Sequence, residues 1–179
     1  MLNKTDFIEL MTKQEQLDAE IRESKGISPT EWRTFDRQHR IALSTEVHEF
    51  INEYRTLGHK VVWKYWSGKQ TIPERLLDEA VDVVHFGCLI LNKWAVNNGL
   101  NTERAADELY PLYLSNYEGS LNKDPLDNLD HLASHSTNVH TVLPVLMAVL
   151  NITGVNREDV LKQYDVKQEV NYTRQTEGY

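Results

Sequence analysis

Two stretches of the chain carry pairs of acids at a spacing that can do chemistry. Glu46 and Glu49 fall in residues 41–57, and Glu79 and Asp82 in residues 73–97. On a helix, side chains three apart share a face, so each stretch offers a two-pronged carboxylate clamp. The second clamp interrupts an apolar run of Ala80, Val81, Val83, Val84, Phe86, Leu89, Ile90 and Leu91. A helix that is apolar nearly all round is buried, and a buried carboxylate must be paired, metal-bound or protonated. If the clamps face each other, mutual repulsion is severe and divalent cations are its natural remedy. All-oxygen ligation, with no Cys and no required His, points to Mg²⁺ or Mn²⁺. The plainer alternative is a set of surface acids on amphipathic helices. Glu53 continues the first acidic face and is expected in solvent.

These clamps need helices to carry them. Apolar residues recur with a helical period over 5–24 (Phe7, Ile8, Leu10, Met11, Leu17, Ile21), and the segment from Gly26 to Pro29 ends that stretch. Trp32 and Phe35 lie in a short connector, after which the first acidic helix is expected from about Asp36 to Leu57, closed by Gly58. An aromatic and basic segment, residues 61–68, holds Trp63, Lys64, Tyr65 and Trp66. Thr71 and Glu74 suggest a capping box around Pro73 for the second acidic helix, which runs to about Asn97. Further helices are expected over about 101–117, over 124–150 with a break near Pro144, and over 157–171. No strand-like alternation and no internal repeat competes. The expectation is an all-α bundle of five or six helices in one domain, residues 1–179.

Composition narrows the partners. A formal charge of −8 argues against a nucleic-acid polymer, which calls for a basic face. It leaves room for a small anionic ligand, because metals invert the local field. Cys88 is the single cysteine and sits in an apolar stretch, so it reads as a buried thiol. No signal peptide or long apolar span is visible, so no membrane is expected and the cytoplasm is the default. His131 and His135 are four apart and could in principle hold zinc, but no convincing third ligand lies nearby. Tyr110, Tyr113 and Tyr117 recur at helical spacing and read as core or interface.

Near the end, Lys167, Asn171 and Arg174 are spaced to share one helical face, a good set of donors for phosphate oxygens. A solvated last turn complementing the helix dipole is the plainer reading. The ordered set is Glu-x-x-Glu, an aromatic-basic segment, Glu-x-x-Asp-x-x-His, then Lys-x-x-x-Asn-x-x-Arg-x-x-x-Gly-Tyr. It resembles the dimeric all-α dUTPase/dCTPase family, within the MazG-like nucleotide pyrophosphatases. Leu10 to Asp18 is similar to that family's N-terminal nucleoside motif, and the part least covered is about residues 100–155.

The resemblance implies Glu46, Glu49, Glu79 and Asp82 as metal ligands, with Glu46 or Glu49 also taking a proton from water. It implies Gln14, Asp18, Trp63, Trp66 and His85 around the base and sugar, and Lys64, Lys167, Asn171, Arg174 and Tyr179 on the phosphates. The reaction implied is hydrolysis of dUTP, and of dUDP, with dUMP and pyrophosphate the products from dUTP, by a homodimer. Members of the family often carry Asn where this chain has Asp18. Asn donates and accepts, whereas an ionised Asp only accepts, so uracil against cytosine stays open. A dCTP or broader NTP pyrophosphatase is the near alternative. A di-iron bundle would need Glu-x-x-His on two helices, and this chain has Asp82-x-x-His85 once. A non-catalytic helical dimer that binds a partner is the alternative of another class. Trp63 and Trp66 could equally pack a loop, and His85 could be a hydrogen-bonded core residue.

Overall fold

Eight helices and one small hairpin make up the computed structural model, which describes residues 1–177 and so leaves the Tyr179 expectation outside the described residues. Helix α1 (Lys4–Lys25) starts at a capping box. The Asn3 side chain accepts the Asp6 N–H at 3.0 Å, and the Asp6 carboxylate accepts the Asn3 N–H at 2.6 Å. It ends at Gly26, whose φ of 66° is left-handed backbone that glycine adopts without strain. Helix α2 (Pro29–Arg33) is a single short turn that buries Trp32. The acid-bearing helices are α3 (Asp36–Glu53) and α4 (Pro73–Asn97), joined through the hairpin of β1 (Thr56–Leu57) and β2 (Lys60–Val61). Then come α5 (Thr102–Leu121), α6 (Pro125–Ser134), α7 (Val139–Ile152) and α8 (Arg157–Thr176).

Helix α4 is the axis of the bundle. It packs on α3, α1, α8 and α7, while α5 lies against α7 and α1. The apolar face of α4 explains this position: Leu76, Ala80, Val81, Val83, Val84, Cys88 and Leu91 all join the main core cluster. Cys88 is buried, as expected. Tyr113 and Tyr117 are core residues, and the Phe7 ring meets Tyr113 edge-on at 4.7 Å. No single described helix is long and apolar enough to cross a membrane.

The all-α expectation holds, with more and shorter helices than the five or six read from the sequence. The stretch 124–150 divides at residues 135–138, where Asn138 caps α7, and not at Pro144. Pro144 sits inside α7 because the carbonyl it orphans is taken up elsewhere. The Asn116 side chain donates to His140 O at 3.2 Å, filling the place of the missing N–H. The first acidic helix stops at Glu53 instead of near Leu57, because the chain turns at Gly58 and pairs Thr56 with Val61. The expected Thr71–Glu74 capping box does not form. Ile72 is the N-cap with no side-chain bond, and Thr71 Oγ1 instead accepts the N–H groups of Arg55 and Thr56, both at 2.8 Å. Glu53 is not in solvent either: the same turn covers it and pairs it with Arg55 at 3.0 Å.

Candidate active site

Glu46 leans from α3 between the buried Leu43, Val47 and Phe50, while Glu79 and Asp82 project from α4 beside Ala80, Val81 and Val83. The α3–α4 packing brings one carboxylate oxygen of each of Glu46, Glu79 and Asp82 within 4.8 Å of one another. Glu49 stands apart. It is exposed and faces a surface groove of about 630 Å³ shared with Ser44, Thr45, His48 and Asn52. It is still near enough for its charge to bear on Glu46 and Glu79.

Crowding shows in the proton affinities. Burial first, then repulsion by Asp82, Glu49 and Glu79, pushes Glu46 up to about 7. Glu79 is raised by burial and by Asp82 and Glu49. Asp82 is raised by burial, against the opposing pull of Lys167. Three half-buried carboxylates that resist ionising together are a donor set suited to a hard divalent cation. The cluster supplies carboxylate oxygens, the donors that hard divalent cations prefer.

From α8, Lys167 donates to Asp82 and to Asp78 Oδ2, the latter at 3.0 Å. Burial would lower Lys167, but these two carboxylates outweigh it and hold its pKa above the ordinary lysine value. Asn171 and Arg174 follow on the same helix, and Arg174 is close enough to favour the ionised form of Asp82.

Beside the acids lies a buried polar network. Gln14 Nε2 donates to Asp18 Oδ1 at 2.9 Å, while Gln14 Oε1 accepts from Tyr164 OH at 3.1 Å and meets His85 Nδ1 at 2.8 Å. With the amide oriented by Asp18 and Tyr164, His85 must donate through Nδ1, so its Nε2 carries a lone pair. The imidazole stacks on Tyr164 with ring centroids 3.9 Å apart. Burial, then Lys167, keeps His85 neutral with a pKa lowered to about 3. Burial raises Asp18 to about 7. Two buried atoms of the network, Asp18 Oδ2 and His85 Nε2, have no hydrogen-bond partner among the described residues.

The aromatic segment divides in two. Trp63 is half-buried and donates its indole N–H to Tyr54 O at 2.8 Å, so it fastens the loop to the end of α3. Trp66 meets Trp63 edge-on at 5.8 Å and is 64 % exposed, with Tyr65 against it. Lys64 donates to Asn52 Oδ1 and lies over the Trp63 ring. His131 and His135 have ring centroids 4.4 Å apart, and no third ligand joins them among the described residues.

The structure therefore gathers Glu46, Glu79, Asp82 and Lys167 in one place, and Gln14, Asp18 and His85 in another beside it. Sequence reasoning missed Tyr164, Asp78 and Gln163. Asp78 had a signal, since it precedes Asp82 by one helical turn and so shares its face. Tyr164 and Gln163 had none, because nothing in α8 marks which side docks. A family model described as dUTPase matches residues 6–179. No curated protein matches the chain.

Proposed function

Since the chain belongs to the all-α dUTPase family, we propose that it is a Mg²⁺-dependent dUTP diphosphatase that works as a homodimer in the cytoplasm. Membership makes it a hydrolase of the dUTP diphosphatase type acting on a nucleotide. The observation that carries the finer reading is the convergence of Glu46, Glu79 and Asp82 from two helices within 4.8 Å. In this reading Glu49 completes the ligand set from the groove side. A divalent cation held there would neutralise phosphate charge and lower the pKa of water, with Mn²⁺ able to replace Mg²⁺.

The remaining roles fall to the chain's own groups. Glu46 or Glu49 takes the proton of the attacking water. Lys64, Lys167, Asn171, Arg174 and Tyr179 hold the phosphates. Gln14, Asp18, Trp63, Trp66 and His85 surround the base and sugar. The unpartnered Asp18 Oδ2 and His85 Nε2 support a polar ligand there, because each unsatisfied buried group costs about 1–3 kcal/mol. Protonation of the buried Asp18 near neutrality gives it one donor beside its acceptors, the pattern of the Asn common in the family, so it can pair with a pyrimidine edge as that Asn does.

The test is pyrophosphate release from dUTP, dCTP, dTTP, dATP, dGTP and UTP, and orthophosphate release from dUDP, with and without Mg²⁺. Preference for dUTP and a requirement for the cation are expected. Similar turnover of every base, or full turnover in excess chelator, overturns the reading. Asp82→Asn should abolish turnover while helicity by circular dichroism is retained, and a near-normal rate in that variant would place the site elsewhere.

A further inference from the structure

The Lys167 ammonium occupies the flank of the acidic cluster that a cation would otherwise neutralise. It bridges Asp82 and Asp78, which stand one turn apart on α4. Asp78 is itself held from α8, since Gln163 Nε2 donates to its Oδ1 at 3.0 Å. Gln163 and Lys167 are again one turn apart. Two turns of α8 thus grip two turns of α4 through Asp78–Gln163, Asp78–Lys167 and Asp82–Lys167. Only Asp82 among these belongs to the cluster with Glu46 and Glu79. The side chains of Lys167 and Asp82 are 19 % and 27 % exposed, so their pairing is partly shielded from water yet open to exchange.

We propose that Lys167 is an internal counter-ion competing with the divalent cation for Asp82, and that Asp78 is the positioning residue keeping Lys167 beside the site when Asp82 is given up. This rests on the metal site proposed above. An ammonium carries three donors, and the bond to Asp78 uses one of them. Released from Asp82, Lys167 stays within a helical turn of the cluster with donors to offer an incoming phosphate. Without Asp78 its carboxylate partner in this grip is Asp82, and it resists the cation more strongly.

The experiment is titration of the full chain with Mn²⁺ in the absence of nucleotide, following unbound Mn²⁺ by electron paramagnetic resonance. The proteins are the wild type, Lys167→Met, Asp78→Asn and the double variant, with folding checked by circular dichroism and Lys167→Gln as substitute if the Met form does not fold. Lys167→Met should bind Mn²⁺ on the order of fivefold more tightly than the wild type. Asp78→Asn should bind it more weakly, and most of that loss should vanish when Lys167 is also replaced. Unchanged or weaker binding by Lys167→Met overturns the competition while leaving the metal site standing. An equal loss in both backgrounds shows that Asp78 acts as a bare charge and overturns its positioning role. No Mn²⁺ binding by any of the four proteins fails the metal site itself, and this inference with it.

Discussion

Asp18 shows how one buried carboxylate shapes both stability and recognition. It is 3 % exposed and its pKa stands at about 7, against an ordinary value of 3.8. Burial is the main cause; the Glu15 charge adds to it, while Gln14 and Arg22 oppose it. Between those two values the folded chain binds more protons at this site than the unfolded chain. Stability contributed by the protonated acid is therefore present at low pH and lost as pH rises toward about 7. Asp18→Asn removes the titration. Relative to that variant, the wild type should lose roughly 2–3 kcal/mol between pH 5 and pH 8, read from urea midpoints. Parallel profiles for the two proteins would show that Asp18 titrates in the fold as it does outside it. At this scale the acids were legible because Glu79 and Asp82 sit among apolar neighbours. Asp78 carried a signal too, one turn before Asp82 on the same face, but Gln163 and Tyr164 did not, since their roles come from how α8 lies on α4, which no local pattern encodes.

Among the elements, α4 sets the geometry, and at Gly87 it comes close to Leu143 of α7. A Cβ added at Gly87 would lie 2.7 Å from Leu143 Cδ2 and 3.0 Å from its Cγ. Alanine would gain about 1 kcal/mol of helix propensity there, but overpacking a filled core costs about 1–3 kcal/mol. Because Leu143 is itself buried, moving its side chain disturbs the packed core, and the steric cost wins. Gly87→Ala should lower the melting temperature by about 2–4 °C, and the penalty should disappear in a Leu143→Ala background. A rise in melting temperature for Gly87→Ala alone would refute the close contact. The acid-bearing helices were readable from their period, and Pro73 from its place in the first turn. The errors arose where a side chain found a distant partner. Thr71 chose β1 over its own helix, and Asn116 let Pro144 remain inside α7.

For the whole molecule, binding should be visible as stability. Mg²⁺ with a non-hydrolysable dUTP analogue at about one hundred times the dissociation constant should add about 2.7 kcal/mol, a rise of roughly 5–10 °C in melting temperature. Chelation should lower it or leave it unchanged. Sedimentation should return twice the 20.8 kDa protomer mass. Absence of any shift with metal and nucleotide would favour a helical module that binds a partner without catalysis. The proposed chemistry depends above all on acids of α3 and α4 sharing one cation. An anomalous difference map from a Mn²⁺-soaked crystal tests that most directly. The predicted result is a single strong region of density enclosed by Glu46, Glu79 and Asp82, with Glu49 drawn toward it. Density confined to other sites, or Glu46 turned outward into solvent in that crystal, would contradict it.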